Sequence, residues 1–502
     1  MGTTRAAVHI DTASTTPVSP FVFGALTEHF GRGLYGGLWS TQHDAPRADV
    51  QNAVRAMGTT MFRYPGGGFA DWYHWRDGVG PKQSRPTYDR QFWTDFRMDD
   101  AFPAEMAREF GPVETNSVGT DEFLRYCVDT DVEPMLVANF GSGTPEEAAG
   151  WVAHCNRGSA PRPVHWWGVG NETYGNWEIG HCSAAEYADR YVEFSRAMRA
   201  VDQSIRIVAV GCGGLGPEGS DTGWNRTVLE RAGEDVDALS VHFYFPGPGL
   251  GRSLRDDEAD YLQVATGADE LRVMLDRVIA EAGSAGLPNP VPISLDEWNL
   301  WADWRELLTT NHRLGDAVFF AGCYNRILER ADRVTMAMIS HQVNCMAPIQ
   351  TRCDRSFGTA AFLVGMMYRR AARTNVAATR IECDTLMAPG FDGVDTDSVP
   401  MTGERIAFSL DASATHDAAG TAVFLANRRI DGAVQVTVCG LPPGAHGRLR
   451  HLAAEDDDPF ARNDEDTPDA LGFRDVPVAV DDDGRATVEL PPHTAGVVEV
   501  RP

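Results

Sequence analysis

Two glutamates follow apolar segments of strand length and could form a catalytic pair of carboxyl groups. One segment reads VHWWGVGNE and ends in Asn171-Glu172, and the other reads PISLDEWN and carries Asp296-Glu297. A carboxylate at the end of a buried strand loses its solvation, so it requires hydrogen-bond partners or a function that retains it. A pair of glutamates can supply the acid and the base or nucleophile that cleave a glycosidic bond. Glu172 and Glu297 lie 125 positions apart, so the pair forms only if the fold brings the two strand ends together.

The elements that must bring these ends together alternate regularly along the chain. Apolar segments of strand length and amphipathic segments of helix length follow one another for eight rounds, which predicts a (β/α)8 TIM barrel. A doubly wound sheet is the alternative, although it rarely has eight strands in simple alternation. The predicted strands are residues 21–30, 60–65, 133–140, 164–172, 205–211, 238–245, 292–298 and 334–344. The predicted helices are residues 49–57, a helix that opens at Thr120, one that Thr144 caps before Pro145, and residues 183–201, 225–232, 268–281, 316–331 and 359–372.

The chain changes character after residue 373, where helical periodicity gives way to short strands separated by turns. Segments such as GTAVFLANRR, AVQVTVCGL and AGVVEVRP are typical of an all-β domain. We therefore assign residues 20–373 to the catalytic barrel and residues 374–502 to a jelly-roll-like β-sandwich, to which residues 1–19 could add a strand. Acidic patches at 455–458 and 481–483 do not have the spacing of a calcium loop, and solvated turns are the simpler interpretation.

Composition limits the classes of protein to which the chain can belong. With 502 residues and a formal net charge of −27, it is not expected to bind nucleic acid or an anionic membrane. Its nine cysteines, an odd number without a CxxC pair, disfavour a disulfide framework or a zinc ribbon and favour a reducing cytoplasm. The first residues lack the apolar core of a signal peptide, and no apolar run has membrane-spanning length. We expect a cytoplasmic protein without a metal or cofactor.

Functional side chains of a barrel lie at the carboxyl ends of its strands, because the loops there converge on one mouth. The predicted strands deliver mainly polar and aromatic side chains to those ends, and these suit an uncharged ligand that is rich in hydroxyl groups. The candidates are Glu28, His29, Arg63, Tyr64, Asn139, Asn171, Glu172, His242, Tyr244, Asp296, Glu297, Trp298, Gln342 and Asn344. The glycine run at 66–68 lacks a following GK[ST] sequence, so it predicts a tight turn and not a phosphate loop.

Several of these residues have a structural alternative. Glu28 and His29 could equally bind a sugar or form an ion pair with a barrel arginine such as Arg63. His181 and His242 could bind a metal, but no second ligand stands at ligand spacing, so hydrogen bonding is the better interpretation. The tryptophans near the strand ends could all belong to the core, and their crowding there favours sugar platforms for some of them.

Taken together, these segments resemble glycoside hydrolase family 51, the retaining α-L-arabinofuranosidases. The resemblance runs from about residue 20 to residue 355. It is carried by FGALTEHFGRGLYGGLW, FRYPGGGFADWYHWRDGVGPKQSRP, VANFGSGTPEEAAGWVAHCN, WWGVGNETYGNWEIGH, LSVHFYF, SLDEWNLW and HQVNCMAPI. The β-rich tail, which includes LPPHTAGVVEV, is also similar to the C-terminal sandwich of the family.

The resemblance implies a catalytic role for each matching residue. Glu172 would be the general acid/base and Glu297 the nucleophile of a double displacement. Asn171 would hold the sugar 2-hydroxyl, and Tyr244 would orient the nucleophile. Members of the family release terminal α-L-arabinofuranosyl residues and are often trimers or hexamers. We therefore expect an exo-acting enzyme that acts on arabino-oligosaccharides and forms a homo-oligomer.

The resemblance also implies substrate contacts by Glu28, Gln342 and Trp298. The residue after Pro-Gly-Gly is normally Asn or Cys in the family and contacts the sugar, whereas it is Gly68 here. A missing side chain would enlarge the glycone pocket, so β-D-galactofuranose, which has an extra carbon, is an alternative glycone. β-Xylosidase and endo-glucanase activities are further alternatives on the same fold, and a non-catalytic sugar-binding protein is the alternative of another class. The segment after DEWNLW is also shorter than usual, which would open the aglycone side.

Overall fold

Eight parallel strands close into a barrel, which confirms the predicted fold class. The computed structural model describes residues 4–89, 113–214, 223–247, 252–303, 306–390 and 404–501. The first to the eighth barrel strand are, in chain order, Gly24–Leu26, Met61–Tyr64, Glu133–Ala138, Trp166–Val169, Arg206–Val210, Ala238–Pro246, Ile293–Trp301 and Val334–Ser340. Each of them overlaps the segment predicted for it, and sequential strands are neighbours around the barrel.

Helices follow the strands and cover the outside of the barrel. In the described part of the chain they are Ala48–Met57, Thr120–Thr130, Pro145–Arg157, Ala184–Val201, Trp224–Ala232, Glu258–Thr266, Ala268–Ser284, Ala317–Glu329 and Ala360–Ala371. Helix Pro145–Arg157 begins where the sequence predicts, because Thr144 Oγ1 accepts a hydrogen bond from Glu147 N at 3.2 Å and proline occupies the first turn. Helix Glu258–Thr266 is not among the predicted helices. Its buried residues are nearly continuous, so it lacks the amphipathic periodicity of the others.

Short elements connect the main ones. The 3-10 helices are Pro20–Phe23, Gly68–Asp71, Trp75–Gly78, Lys82–Ser84 and Gly233–Asp235. Small two-stranded sheets pair Trp39–Ser40 with Ala45–Pro46, Tyr88–Asp89 with Val113–Glu114, Ile349–Arg352 with Arg355–Gly358, and Thr385–Ala388 with Arg405–Phe408. Across the described ranges, no helix combines the length and the apolar character that crossing a membrane requires.

A nine-stranded sheet forms the second body of the described chain. Its strands are Thr4–Asp11, Asn375–Glu382, Leu410–Asp417, Gly420–Asn427, Val434–Cys439, His446–Ala454, Leu471–Ala479, Arg485–Leu490 and Thr494–Arg501. The N-terminal strand Thr4–Asp11 lies inside this sheet, antiparallel to Asn375–Glu382 and parallel to Val434–Cys439. Val8 and Val498 come from the two halves of the sheet and share one core, so the sheet closes over itself as a sandwich.

Charged side chains join this sheet to the helical layer of the barrel. Helix Ala317–Glu329 buries nearly all of its residues. Its Arg326 pairs with Asp411 of the sheet. Arg428 directly follows the sheet strand Gly420–Asn427. It pairs with Asp411 at 3.2 Å and with Asp269 of a barrel helix at 2.9 Å. These buried pairs anchor the sheet to the helices, and not to the strand ends that carry the candidate residues.

Candidate active site

The fourth and seventh barrel strands bring Glu172 and Glu297 together. A carboxylate oxygen of each and a ring nitrogen of His242 all lie within 4.8 Å of one another. His242 Nδ1 is 2.7 Å from Glu172 Oε1 and 3.5 Å from Glu297 Oε2. Retaining glycosidases hold their two carboxyl groups ~5–5.5 Å apart, whereas inverting enzymes leave ~6.5–9.5 Å for a water molecule. The spacing of this pair therefore fits a double displacement.

A local irregularity of the seventh strand turns two consecutive acids toward the barrel interior. Side chains of a regular strand alternate between its faces. Here Asp296 Oδ1 accepts a hydrogen bond from Ser240 Oγ at 2.6 Å. The next residue, Glu297, accepts one from the Tyr244 hydroxyl at 2.7 Å through its Oε2. The pairing of the seventh and eighth strands shifts register between residues 295 and 298, and such bulges re-aim side chains beside functional sites.

Arg63, at the end of the second strand, fixes three of the site's side chains. Its Nη1 donates to Glu297 Oε1 at 2.6 Å, and its Nη2 donates to Asn171 Oδ1 at 2.8 Å. Its Nε lies 3.3 Å from Asp296 Oδ2. Burial lowers the pKa of this guanidinium, but the facing carboxylates outweigh that effect, so Arg63 stays charged. A single buried cation thus sets the orientation of Glu297 and of the Asn171 amide.

His242 is a second cation of the site. Burial lowers its pKa, but the three carboxylates that face it raise the pKa to about 10. At neutral pH both ring nitrogens therefore carry a proton and can donate hydrogen bonds to the carboxylates. This supports the hydrogen-bonding interpretation of His242. His181 is exposed and lies outside the cluster.

The two glutamates differ in their hydrogen bonds and in the direction of their pKa shifts. Burial raises the pKa of Glu297, and neighbouring carboxylates add to the rise. Glu172 is partly buried, which also acts to raise its pKa, but hydrogen bonds from His242 at 2.7 Å and Trp177 Nε1 at 2.8 Å hold its pKa below the usual value. Because the carboxyls interact, they titrate as a pair. In the resting arrangement, a proton on the pair is held by Glu297 more than by Glu172.

Glu28 follows the first strand, and its carboxyl group lies close to that of Glu297, on either side of Gly67. Its Oε1 accepts a hydrogen bond from Phe69 N at 3.0 Å, and its Oε2 accepts one from His341 Nε2 at 3.0 Å. Burial opposes ionisation, yet these partners lower the pKa of Glu28, so it is a carboxylate. A Cβ atom on Gly67 would come within 3.0 Å of Glu297 Oε1. The glycine loop therefore lets the backbone pass directly beside the catalytic candidate.

His29 does not share the position of Glu28, although the two residues are adjacent in sequence. Its Nδ1 donates to Glu114 Oε2 at 2.8 Å, and its ring stacks on Phe69 at 4.5 Å. Arg63, which the sequence offers as an ion-pair partner for both, instead binds Glu297. His29 is therefore a core residue, whereas Glu28 lines the site.

Gln342 is not brought to the site, which corrects the assignment made from the sequence. Its side chain is fully buried, its Oε1 accepts a hydrogen bond from Thr59 at 3.1 Å, and its Nε2 faces Met57 Sδ at 3.5 Å. The preceding residue, His341, contacts Glu28 instead. Neighbouring residues of an extended chain face opposite sides, so an error of one position exchanges a core residue for a site residue.

Trp298 also lies away from the site. It is wholly buried and packs against Tyr324 and Phe320 of a barrel helix, with ring centroids 5.2 and 6.2 Å away. Trp301, at the end of the same strand, packs edge-to-face on Tyr244 at 5.1 Å. Because the Tyr244 hydroxyl binds Glu297, Trp301 is the tryptophan of this strand that borders the site.

Gly68 faces a carboxyl group and not an empty pocket. A Cβ atom there would lie 3.1 Å from Glu178 Oε1 and 3.4 Å from Glu178 Oε2. Glu178 Oε1 in turn accepts a hydrogen bond from Asn171 Nδ2 at 2.9 Å. Gly68 has no positive φ, in contrast to Gly66 with φ of 137°, so backbone conformation does not explain the glycine. The glycine leaves room for Glu178.

Comparisons with known proteins show that the chain is similar to α-L-arabinofuranosidases. Residues 53–154 match the family model described as α-L-arabinofuranosidase 1 domain, and residues 296–494 match the α-L-arabinofuranosidase C-terminal domain. The intracellular exo-α-(1→5)-L-arabinofuranosidase 1 of Bacillus subtilis is 33% identical over 368 residues, which are 66% of this chain and 68% of that protein.

Solved structures extend the similarity over the whole chain. An α-L-arabinofuranosidase from Thermotoga maritima, solved as an arabinose complex, is 28% identical in sequence. Its match has a TM-score of 0.81 and covers 99% of this chain and 100% of the Thermotoga maritima chain. A family 51 α-L-arabinofuranosidase from Bifidobacterium longum is 25% identical with a TM-score of 0.81 and covers 100% of both chains.

Proposed function

The chain belongs to the α-L-arabinofuranosidases of glycoside hydrolase family 51, and on this premise we propose that it releases terminal α-L-arabinofuranosyl residues from arabino-oligosaccharides with retention of configuration. It is a glycosidase, and the observation that carries the proposed mechanism is the approach of the Glu172 and Glu297 carboxylates to within 4.8 Å. The Bacillus subtilis relative is named as an exo-acting enzyme for α-(1→5) linkages, and we propose both properties for this chain.

In the first step, Glu297 attacks the anomeric carbon while Glu172 protonates the departing glycosidic oxygen. Arg63 and Tyr244 support the nucleophile, since they bind its two oxygens at 2.6 and 2.7 Å and favour its ionised form. In the resting site the pKa of Glu297 is raised and the pKa of Glu172 is lowered, whereas a nucleophile must be ionised and an acid must be protonated. Binding of the substrate must therefore shift the shared proton from Glu297 to Glu172 before the bond breaks.

In the second step, water replaces the leaving group and hydrolyses the glycosyl-enzyme. Esterified Glu297 no longer carries a charge, so the repulsion between the two carboxyls disappears. Glu172 then acts as a base on the water, with His242 and Trp177 holding its carboxylate in place. Asn171, fixed by Arg63, is positioned to hold the sugar 2-hydroxyl.

The proposed function is tested with nitrophenyl α-L-arabinofuranoside and an NMR measurement of the first anomer released. We expect hydrolysis with α-arabinofuranose as the first product. A β-configured first product would contradict the double displacement, and binding without turnover would support the alternative of a sugar-binding protein. The galactofuranose alternative rests on an enlarged pocket at Gly68, and the Glu178 carboxyl occupies that space.

His341→Ala is expected to lower kcat/KM by roughly ten- to hundredfold, because a hydrogen bond to the charged Glu28 is lost. The matched control is Gln342→Ala, which removes the neighbouring side chain from the core. This control should lower the free energy of unfolding by about 1–3 kcal/mol through the unpaired Thr59 hydroxyl and leave KM unchanged. Steady-state kinetics beside melting curves separate the two effects. A higher KM in Gln342→Ala with a normal His341→Ala enzyme would restore the assignment of Gln342 to the site.

We propose that the chain forms a homo-oligomer, a trimer or hexamer, through the sheet of Thr385–Ala388 and Arg405–Phe408. Met387 pairs with Ile406 across this sheet, and Phe408 lies on the same face. Their exposed fractions are 55%, 75% and 50%, which is unusual for adjacent large apolar side chains.

Ile406→Asp is expected to lower the molar mass in solution, because an introduced charge would be buried without a partner at the interface. Light scattering after size-exclusion chromatography measures the mass of wild type and variant. A monomeric wild-type protein, or a variant of unchanged mass, would contradict the proposed interface.

We also propose an intracellular location. The Bacillus subtilis relative is named as intracellular, and the nine cysteines of this chain are all unpaired, as a reducing compartment maintains them. Fractionation of the producing cells with an antibody against the protein tests this, and recovery in the medium would contradict it.

A further inference from the structure

Glu178 is a buried carboxyl group that forms no salt bridge with any of the described residues. It follows the fourth barrel strand and exposes 6% of its surface. Its Oε1 accepts a hydrogen bond from Asn171 Nδ2 at 2.9 Å, and within the described residues its Oε2 has no hydrogen-bond partner. The ionisable groups that act on it most strongly are Asp71, Glu172 and Glu28, which are all acids.

These surroundings keep Glu178 neutral. Burial raises its pKa well above the usual value, and the charges of Asp71 and Glu172 raise it further, whereas the Asn171 hydrogen bond lowers it. Because Oε1 accepts from Asn171, the proton of the carboxylic acid belongs on Oε2. A neutral acid of this kind can hold an amide without adding negative charge beside the catalytic carboxylates.

The Asn171 side chain is held at both ends of its amide. Arg63 donates to Oδ1 at 2.8 Å, and Nδ2 donates to Glu178 at 2.9 Å. Arg63 also holds Glu297, so the amide plane is fixed relative to the nucleophile. Among the described residues, Glu178 is the one hydrogen-bond acceptor of Nδ2, so its second hydrogen is available to a ligand. Gly68 supports this arrangement, because a Cβ atom there would lie only 3.1 Å from Glu178 Oε1.

We propose that Glu178 is a positioning residue for glycoside hydrolysis, a neutral carboxylic acid that fixes the Asn171 amide against the hydroxyl group next to the reacting carbon of the glycone. This inference rests on the proposed function. Glu178 acts through Asn171, and Gly68 leaves the space that its carboxyl group needs.

The test compares Glu178→Gln with Glu178→Ala on an aryl α-L-arabinofuranoside and on its 2-deoxy analogue. Glutamine is neutral and offers an amide oxygen to Asn171, so Glu178→Gln should stay within about twofold of wild type. Glu178→Ala removes the acceptor and should lose about two- to tenfold in kcat/KM on the parent glycoside. On the 2-deoxy substrate, which lacks the hydroxyl, Glu178→Ala should match wild type.

Two further variants keep the test independent of stability. Gly68→Ala presses on the Glu178 carboxyl and should show the same selective loss on the parent substrate. Glu122→Ala removes a partner of Arg85 outside the site. Its ratio of kcat/KM on the parent substrate to kcat/KM on the 2-deoxy substrate should equal that of wild type, whatever its melting temperature. If Glu178→Ala does not fold, the same ratio of kcat/KM values measured on Gly68→Ala tests the proposal.

Two results overturn the positioning role. One is a Glu178→Gln enzyme as impaired as Glu178→Ala, and the other is a Glu178→Ala enzyme that loses equally on both substrates. Wild-type protein that fails to hydrolyse the parent arabinofuranoside would instead count against the proposed function, so the two failures are distinguishable.

Discussion

Glu297→Ala is expected to lower kcat by about 10⁴- to 10⁶-fold, because the covalent step loses its nucleophile. Added azide should restore part of the turnover on a nitrophenyl arabinofuranoside. The truncation leaves space next to the anomeric carbon, and Arg63 and His242 remain as cations around it. An anion in that space attacks from the side of the missing carboxylate. The reaction then has one displacement, so NMR should identify an inverted glycosyl azide.

Glu297→Gln is the matched control for this rescue. Its amide oxygen can still accept from Arg63, and its side chain fills the space that azide would need. It should therefore lose activity as strongly as Glu297→Ala without responding to azide. The free energy of unfolding should also differ between the two variants. In Glu297→Ala, Arg63 has no partner at position 297 and keeps Asp296, at 3.3 Å, as its remaining carboxylate partner. A normal rate in either variant, or a rescued product of retained configuration, would show that Glu297 is not the nucleophile.

The barrel could be predicted because its physical signals are local. Strands that are covered on both faces read as continuous apolar runs, and the seventh strand, Ile293–Trp301, is buried throughout. Helix starts have their own chemistry, as Thr144 before Pro145 illustrates. The meeting of Glu172 and Glu297 then follows from the common direction of parallel strands, since their carboxyl ends lie at one mouth.

The direction of individual side chains could not be predicted in the same way. The register shift between residues 295 and 298 places Asp296 and Glu297 on one side and turns Trp298 into the core. A pairing irregularity is a property of two strands and leaves no mark in either sequence. The assignment of Gln342 in place of His341 to the site has a similar origin. The eighth strand ends at Ser340, just before these two residues, so strand alternation does not give the direction of their side chains.

The role of Glu178 depends on neighbours that are distant in sequence. In the segment WEIGH it is one acidic residue in a loop, for which a solvated surface position is the ordinary expectation. Only the fold places it beside Asp71 and Gly68, where burial among acids changes its protonation. In the HQVN segment the sequence points to Gln342, whereas the structure brings the preceding residue, His341, to Glu28.

Glu172→Ala is expected to lose about 10²- to 10⁴-fold in kcat/KM on substrates with poor leaving groups, such as an arabino-oligosaccharide. An alkoxide cannot depart without a proton, and Glu172 is the group that supplies it. On a dinitrophenyl arabinofuranoside the loss should be much smaller, because an activated phenolate departs unprotonated. A plot of log kcat/KM against the pKa of the leaving group should therefore become steeper in the variant. Equal losses on good and poor leaving groups would contradict the acid role.

Two further measurements on Glu172→Ala distinguish loss of the acid/base from general damage. Azide should now give a glycosyl azide of retained configuration, because Glu297 still forms the covalent intermediate and the anion enters through the space left by Glu172. The acidic limb of the pH profile should also move to lower pH. The charge of Glu172 raises the pKa of Glu297, so its removal lets Glu297 ionise in more acidic solution. Glu172→Gln, which also removes the charge but fills the space, should show the shifted limb without the azide product. An unshifted limb in both variants would mean that the two carboxyls do not interact, and the double displacement would lose its physical basis in this site.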